Sequence, residues 1–251
     1  MKTKLPPTLL WLCPVKVNDL IRIGRNRDGG YIVPKSVVDY ADGVLSLGLG
    51  DDWSFDESWH SLKPNDPIHM YDGAPEGRWN IDLHNQCTSF FVDNRVYYKE
   101  HVYSENNDSL HRISFETALD RMSGNKIMLK MDIEGAEVPI MPNIINARDR
   151  LIGITLELHD INRQREQFQT IVNDLKHYYK IVHFHGNNFS SLGKEGLTDC
   201  IELTFIRNDL VPSNELRYQV WQQDLDFSNT HDGYDIEYYF EDTLDLNHMA
   251  P

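Results

Sequence analysis

Ile127 to Glu137 reads Ile-Met-Leu-Lys-Met-Asp-Ile-Glu-Gly-Ala-Glu, an apolar run that ends in three acids around one glycine. The run has the length and residue types of a buried strand. Carboxylates massed at the C-terminal end of such a strand point into the crevice where open α/β sheets bind ligands. Asp132, Glu134 and Glu137 repel one another, so holding them together makes sense if a cation, a metal or a polar hydroxyl substrate is present during the working cycle.

A second group of candidates, Leu156-Glu-Leu-His-Asp160, ends the next apolar run, so Glu157, His159 and Asp160 fall at a neighbouring strand end. A third is Val44–Asp52, a strand running into Gly48 and Gly50, where missing side chains let backbone pass close to a ligand. Asp51 and Asp52 follow and would repel a pyrophosphate, so a cofactor that is cationic there fits better than a dinucleotide. Asp72 ends the following strand, Ile68–Tyr71, at the place where a Rossmann-like sheet holds two ribose hydroxyls. Glycine turn, second-strand acid and acidic fourth-strand end together suggest S-adenosylmethionine, held by Gly48, Gly50, Asp51, Asp72 and Asp132. One further stretch offers groups for an acceptor: His183-Phe-His-Gly-Asn-Asn188 places two histidines on one face of a strand before a turn with two amides. Arg22–Tyr31 carries arginines, Asp28 and paired glycines before Tyr31-Ile-Val, the pattern of a simple hairpin.

The elements that must position these groups alternate from Val44 onward, the signature of a mainly parallel sheet covered by helices. Strands are predicted at Val44–Leu47, Ile68–Tyr71, Val96–Val102, Ile127–Met131, Leu151–Leu158, Tyr179–Phe184 and Cys200–Ile206. The glycine-, asparagine- and serine-rich stretch Gly186–Thr198 makes the last two an antiparallel hairpin. Helices are predicted at Trp53–Leu62, Phe115–Met122, Val138–Ala147 and Arg163–Tyr178. The acidic tail, Asp224–Pro251, has no clear period and either packs over the site or stays partly disordered.

A chain of 251 residues with 40% hydrophobic content can bury a full core and reads as one domain, with a 1–43 extension, a 44–207 core sheet and a 208–251 tail. Its formal net charge of -15 disfavours nucleic acid and anionic membranes, which Lys and Arg clusters would hold. Cys13, Cys87 and Cys200 form no Cys-x-x-Cys pair, which suggests reduced thiols and a cytoplasmic setting. Leu9–Cys13 after two lysines is too short and proline-interrupted for an export signal, and no segment approaches the ~20 apolar residues of a membrane span.

The segments Arg22–Pro34, Ser46–Asp56 and Leu129–Glu137 together resemble the FkbM-like class I methyltransferases, including the methyltransferase-like 24 branch. The likeness runs over roughly Arg22 to Arg207, and Asp-Ile-Glu-Gly-Ala-Glu is its most specific part. The resemblance implies an α/β Rossmann-like fold with seven strands and an antiparallel last strand, and an O-methyltransferase acting on a sugar or glycan hydroxyl. Several sugar O-methyltransferases of this fold bind a divalent cation through acids of the same two strand ends. Similarity to them would put Mg or Mn on Asp132, Glu157, His159 and Asp160, an oxygen-rich set suited to hard cations. One carboxylate or His159 acting as general base is the competing account, and Glu137 and Asp160 serving as helix caps is the bland one. On this reading Asp132, Glu134, Glu157 and His159 handle the acceptor and its proton, while Arg22, Asp28, His183, His185, Asn187 and Asn188 meet the substrate. A nicotinamide-dependent oxidoreductase acting on a sugar nucleotide and a non-catalytic glycan-binding module are the alternatives. The first is disfavoured by the missing third glycine of the dinucleotide fingerprint.

Overall fold

The computed structural model describes residues 1–73, 79–193, 195–231 and 233–241. Its centre is a seven-stranded sheet of β1 (Gly43–Leu47), β2 (Ile68–Tyr71), β3 (Arg95–Tyr98), β4 (Ile127–Met131), β5 (Leu151–Leu158), β6 (Tyr179–Gly186) and β7 (Ile201–Arg207). The spatial order is β6-β7-β5-β4-β1-β2-β3. Only β7 runs against its neighbours, antiparallel to both β5 and β6. The strand order reverses between β1 and β4, which opens a crevice beyond their C-terminal ends. This is the Rossmann-like methyltransferase fold that the resemblance implies, with the antiparallel hairpin that the strand pattern predicts.

Burial explains the sequence of the central strands. Every residue of β4 and β5 is buried, so both read as continuous apolar runs rather than alternating ones. Among the described residues six α-helices accompany the sheet: α1 (Lys35–Tyr40), α2 (Ser54–Leu62), α3 (Ile81–Phe90), α4 (Phe115–Asp120), α5 (Glu137–Asn146) and α6 (Ile161–Lys176). Helix α6 buries Ile161, Phe168, Val172 and Leu175, the stripe its period predicts. Helix α3 lacks a strong apolar stripe and gives little warning in sequence. It is fixed at its start by Asn80, whose Oδ1 accepts the N–H of Leu83 at 2.8 Å.

One expectation needs correction. Val96–Val102 is not one strand: β3 ends at Tyr98, and His101–Tyr103 pairs instead with Arg112–Ser114. The break falls at Lys99-Glu100, where Glu100 forms an ion pair with Arg121. For the acidic tail, expected either to pack over the site or to stay partly disordered, the described residues pack: Glu237–Phe240 pairs in parallel with Lys2–Leu5. Chain start and tail thus form one strap beside β6 and β7, and residues 242–251 of the tail lie outside the described residues. Cys13, Cys87 and Cys200 are buried and unbridged, and no described helix is long and apolar enough to cross a membrane.

Candidate active site

Strand β1 leaves the sheet through a turn at Gly48 and Gly50, both at positive φ (+83° and +56°). A Cβ on Gly48 would overlap the carbonyl oxygen of Asp132, so only glycine lets the β1 turn pass against the end of β4. At Gly50 the opposite holds, since nothing lies within 4 Å of the place a Cβ would take and the turn is open there. Asp72, just beyond β2, closes this turn: its Oδ2 accepts the N–H groups of Leu49 at 2.9 Å and Gly50 at 3.0 Å. Trp79 donates from Nε1 to the Gly50 carbonyl at 2.7 Å and lies near Trp53 and Tyr97, an aromatic wall beside the turn. Asp51 is exposed on the turn. Asp52 is engaged with the Ser54 N–H (3.0 Å) and hydroxyl (3.1 Å) and with Arg25 (3.1 Å). An open glycine turn, an acid that orders it, an aromatic wall and a neighbouring Asp132 fit a nucleoside that carries positive charge.

Beyond β4 the acidic turn uses two successive left-handed residues, Glu134 (φ +56°) and Gly135 (φ +96°). For Glu134 that conformation costs about 1–2 kcal/mol. The turn directs the Gly135 N–H to Oε1 of Glu137 at 3.0 Å. The same oxygen, on a fully buried side chain, accepts a hydrogen bond from Nδ1 of His159 at 2.9 Å. Nε2 of His159 then faces Glu134 at 3.6 Å, Glu157 at 3.7 Å and Asp132 at 4.0 Å. Burial opposes a charged imidazole, but the Glu137 hydrogen bond and the charges of Glu157, Glu137 and Asp132 outweigh it and lift His159 to about 9. Burial, with Asp132 and Glu202 adding repulsion, pushes the Glu157 carboxyl up to about 8.

Strand register sets the rest of the polar face. Glu157 on β5 stands opposite Glu202 on β7, and Glu202 stands opposite His185 on β6. Asn187 donates to Glu157 at 2.7 Å and to Asp28 at 3.3 Å, and Asn229 from the tail donates to Asp28 at 3.1 Å and Glu202 at 2.8 Å. Two carboxamides therefore bind the N-terminal loop and the tail to the strand ends. Asp28, Asp132, Glu134, Glu157, His159, Asn187, Phe189, Ser190 and Cys200 line a cavity of about 310 Å³.

The structure thus gathers Asp132, Glu134, Glu157, His159, Asp28 and Asn187 at one cavity and places five other predicted residues elsewhere. Asp160 is exposed at a left-handed turn (φ +60°) and stands outside every metal-competent trio of the described residues. Those trios are Asp132/Glu134/His159, Glu157/His159/Cys200 and Asp28/Glu157/Glu202, each with ligand atoms within 4.8 Å of one another. Arg22 does not line the cavity; it brackets its own loop, donating to the carbonyls of Arg25, Arg27 and Leu225. His183 and His185 are buried and committed to acids, His183 to Asp226 (2.9 Å) and His185 to Glu202 (3.3 Å) and Asp235 (3.0 Å). With Glu202 and Asp235 beside it, His185 is held well above its ordinary pKa despite burial. Asn188 anchors the tail through Ser228 and Thr230. Sequence reasoning missed Glu137 as the partner of His159, along with Glu202, Cys200 and Phe189. Glu137 alone carried a signal, as the last acid of the motif.

No family model matches the chain, and no curated protein matches it. Among solved structures, a putative rRNA methylase from Clostridium thermocellum is similar at 10% identity over 69% of this chain and 94% of its own, with TM-score 0.43. A precorrin-6Y C5,15-methyltransferase from Geobacter metallireducens is similar at 15% identity over 68% of this chain and 83% of its own, with TM-score 0.40. An S-adenosylmethionine-dependent methyltransferase from Clostridium acetobutylicum is similar at 9% identity over 69% and 87%, with TM-score 0.42. At these identities the likeness is one of fold.

Proposed function

We propose that the chain is an S-adenosylmethionine-dependent O-methyltransferase acting on a hydroxyl of a sugar or glycan, of the FkbM-like type. The observation that carries this reading is the abutment of two sites: the Gly48–Gly50 turn, closed by Asp72, touches the backbone of Asp132, which opens the acidic cavity holding His159. S-adenosylmethionine, when bound, supplies an electrophilic methyl carbon. The turn, Asp72 and Asp132 hold it at the mouth of the cavity, and the cavity aligns an acceptor oxygen for in-line displacement. A sugar hydroxyl ionises far above neutral pH, so a group that takes its proton as the bond forms speeds the step. His159 is that group. Glu137 holds the Nδ1 proton, so Nε2 is the atom that accepts the acceptor proton; with its pKa lifted to about 9, His159 acts as base in its deprotonated fraction, and turnover should rise with pH toward that value.

The lining supports an uncharged polyol. Among the described residues no Lys or Arg lines the cavity, whereas four carboxylates and Asn187 offer acceptors and a donor to hydroxyls. Phe189, 64% exposed at the rim, offers an apolar face to a sugar ring. A phosphorylated or nucleotide-linked acceptor would meet repulsion from the carboxylates.

A divalent cation is the second reading. It is favoured by the convergence of Asp132, Glu134 and Glu157 within 4.0 Å of His159 Nε2 and by the oxygen-rich donor set. In that case Asp132, Glu134 and His159, whose ligand atoms lie within 4.8 Å of one another, would hold it, and it would lower the pKa of the acceptor hydroxyl.

Labelled S-adenosylmethionine incubated with a panel of neutral sugars and glycans, with and without EDTA, tests reaction, acceptor class and metal together. Label transferred to a neutral sugar supports the proposal. Transfer only to phosphorylated, nucleic-acid or protein acceptors, or stabilisation by NAD in place of S-adenosylhomocysteine, would overturn it.

A further inference from the structure

One buried cation lies at the junction of the two sites. Lys130 is the fourth residue of β4 and is 5% exposed, a place where an ammonium is costly unless it is paired. Its Nζ donates to the carbonyl oxygen of Gly48 at 2.7 Å and lies 3.9 Å from Oδ2 of Asp132. It also stands 5.9 Å from the ring centre of Tyr31, whose hydroxyl donates to the same Asp132 oxygen at 3.4 Å. On the adjoining strand Ser46 pairs in register with Lys130 and bonds at 3.5 Å to Asp56, a fully buried acid of α2.

We infer that Lys130 is a positioning residue: through one ammonium it ties the carbonyl of the Gly48 turn to the carboxylate of Asp132, holding the cofactor turn and the acceptor-side acid in a single register. The inference rests on the methyltransferase reading for its kinetic consequence but not for its structural one. Gly48 has positive φ and cannot carry a side chain, so packing by a side chain of its own cannot fix the turn. Its N–H is bonded to Tyr71 O at 2.9 Å, and Lys130 supplies the matching bond on the carbonyl side. Asp132 is 26% exposed at its side chain and could swing, and the adjacent ammonium together with Tyr31 restrains it.

Lys130→Met keeps the length of the side chain and removes both the donor and the charge, whereas Lys130→Gln keeps a donor for the Gly48 carbonyl and removes the charge beside Asp132. In the Met variant, amide exchange of the segment 47–52 is expected to rise at least tenfold while that of β7 stays unchanged. Affinity for S-adenosylhomocysteine falls at least tenfold, and turnover at saturating S-adenosylmethionine falls at least tenfold. In the Gln variant affinity recovers to within about threefold of the wild type and turnover stays low. A purely structural role would instead lower the melting temperature and raise exchange evenly across the sheet, with binding and turnover of the folded fraction unchanged. That result, or unaltered exchange at 47–52, overturns the inference. If Lys130→Met does not fold, the Gln variant decides through its turnover, which must fall at unchanged affinity. A wild-type protein that binds no S-adenosylhomocysteine sinks the methyltransferase reading, and the exchange measurement still decides the role of Lys130.

Discussion

Nδ1 of His159, beyond the end of β5, lies 2.9 Å from Oε1 of Glu137, the first residue of α5, and that oxygen also receives the N–H of Gly135. One buried carboxylate oxygen thus ties the acidic turn to the imidazole that faces the cavity. Glu137→Gln keeps an acceptor of the same size but removes the charge. Turnover is expected to fall by about 10- to 100-fold, the usual effect of losing a group that orients a functional histidine, with affinity for S-adenosylhomocysteine preserved. Steady-state kinetics beside a binding titration checks this. Unchanged turnover would remove Glu137 from the account.

His159→Ala removes the base itself, and turnover is expected to drop by roughly 10² to 10⁴. The variant also leaves the buried Glu137 carboxylate without its imidazole partner, so turnover is compared per folded protein, with the melting temperature measured beside it.

The two glycines of the β1 turn are expected to behave differently. Gly48→Ala forces a Cβ onto the Asp132 carbonyl, so it should lose the fold of the crevice and cofactor binding together. Gly50→Ala meets open space and bears only the left-handed penalty of about 1–2 kcal/mol. It should therefore fold and still bind S-adenosylhomocysteine more weakly, because the new methyl stands where the turn is open. Melting curves with and without ligand separate the two effects.

Asp56 gives stability a pH dependence whose sign is fixed. Burial pushes its carboxyl up to about 7, against the pull of Lys130, so the folded state favours the protonated form over the unfolded state. Its contribution is most favourable below the unfolded value near 4 and declines as pH rises from about 4 to about 7, a loss on the order of 4 kcal/mol at most. Asp56→Asn removes that decline. Urea melts of both proteins at pH 4.5 and 7.5 should show the variant gaining relative to the wild type at the higher pH, and a constant difference would contradict it.

With His159 as the base, turnover should stay within about threefold of its untreated value after EDTA treatment. Loss of activity that Mg or Mn restores would establish the cation reading in its place, with Asp132, Glu134 and His159 as ligands.

The sheet was legible because β4 and β5 are buried on both faces and read as unbroken apolar runs, and because the loop before Cys200 signals an antiparallel return. The glycine turn was legible because two glycines at a strand end signal backbone geometry over a short span, and Asp72 closes that turn through the Leu49 and Gly50 N–H groups. What escaped were relationships across long separations. Glu202 reaches the polar face through the register of β7 with β5, and Asp226 and Asp235 of the tail meet His183 and His185 some 40 to 50 residues back in sequence. Two histidines at alternating positions do share a face, as expected, but which groups fill that face depends on where the tail packs. Nothing in the sequence marks Lys130, because its bond to the Gly48 carbonyl spans 82 residues.

The central claim is that the Gly48–Gly50 turn and Asp72 form a site for S-adenosylmethionine, and ligand-induced thermal stabilisation tests it most directly. At a concentration about 100 times its dissociation constant, S-adenosylhomocysteine should raise the melting temperature by on the order of 5–10 °C, while NAD leaves it unchanged. A shift with NAD, or none with S-adenosylhomocysteine at millimolar concentration, would contradict the account.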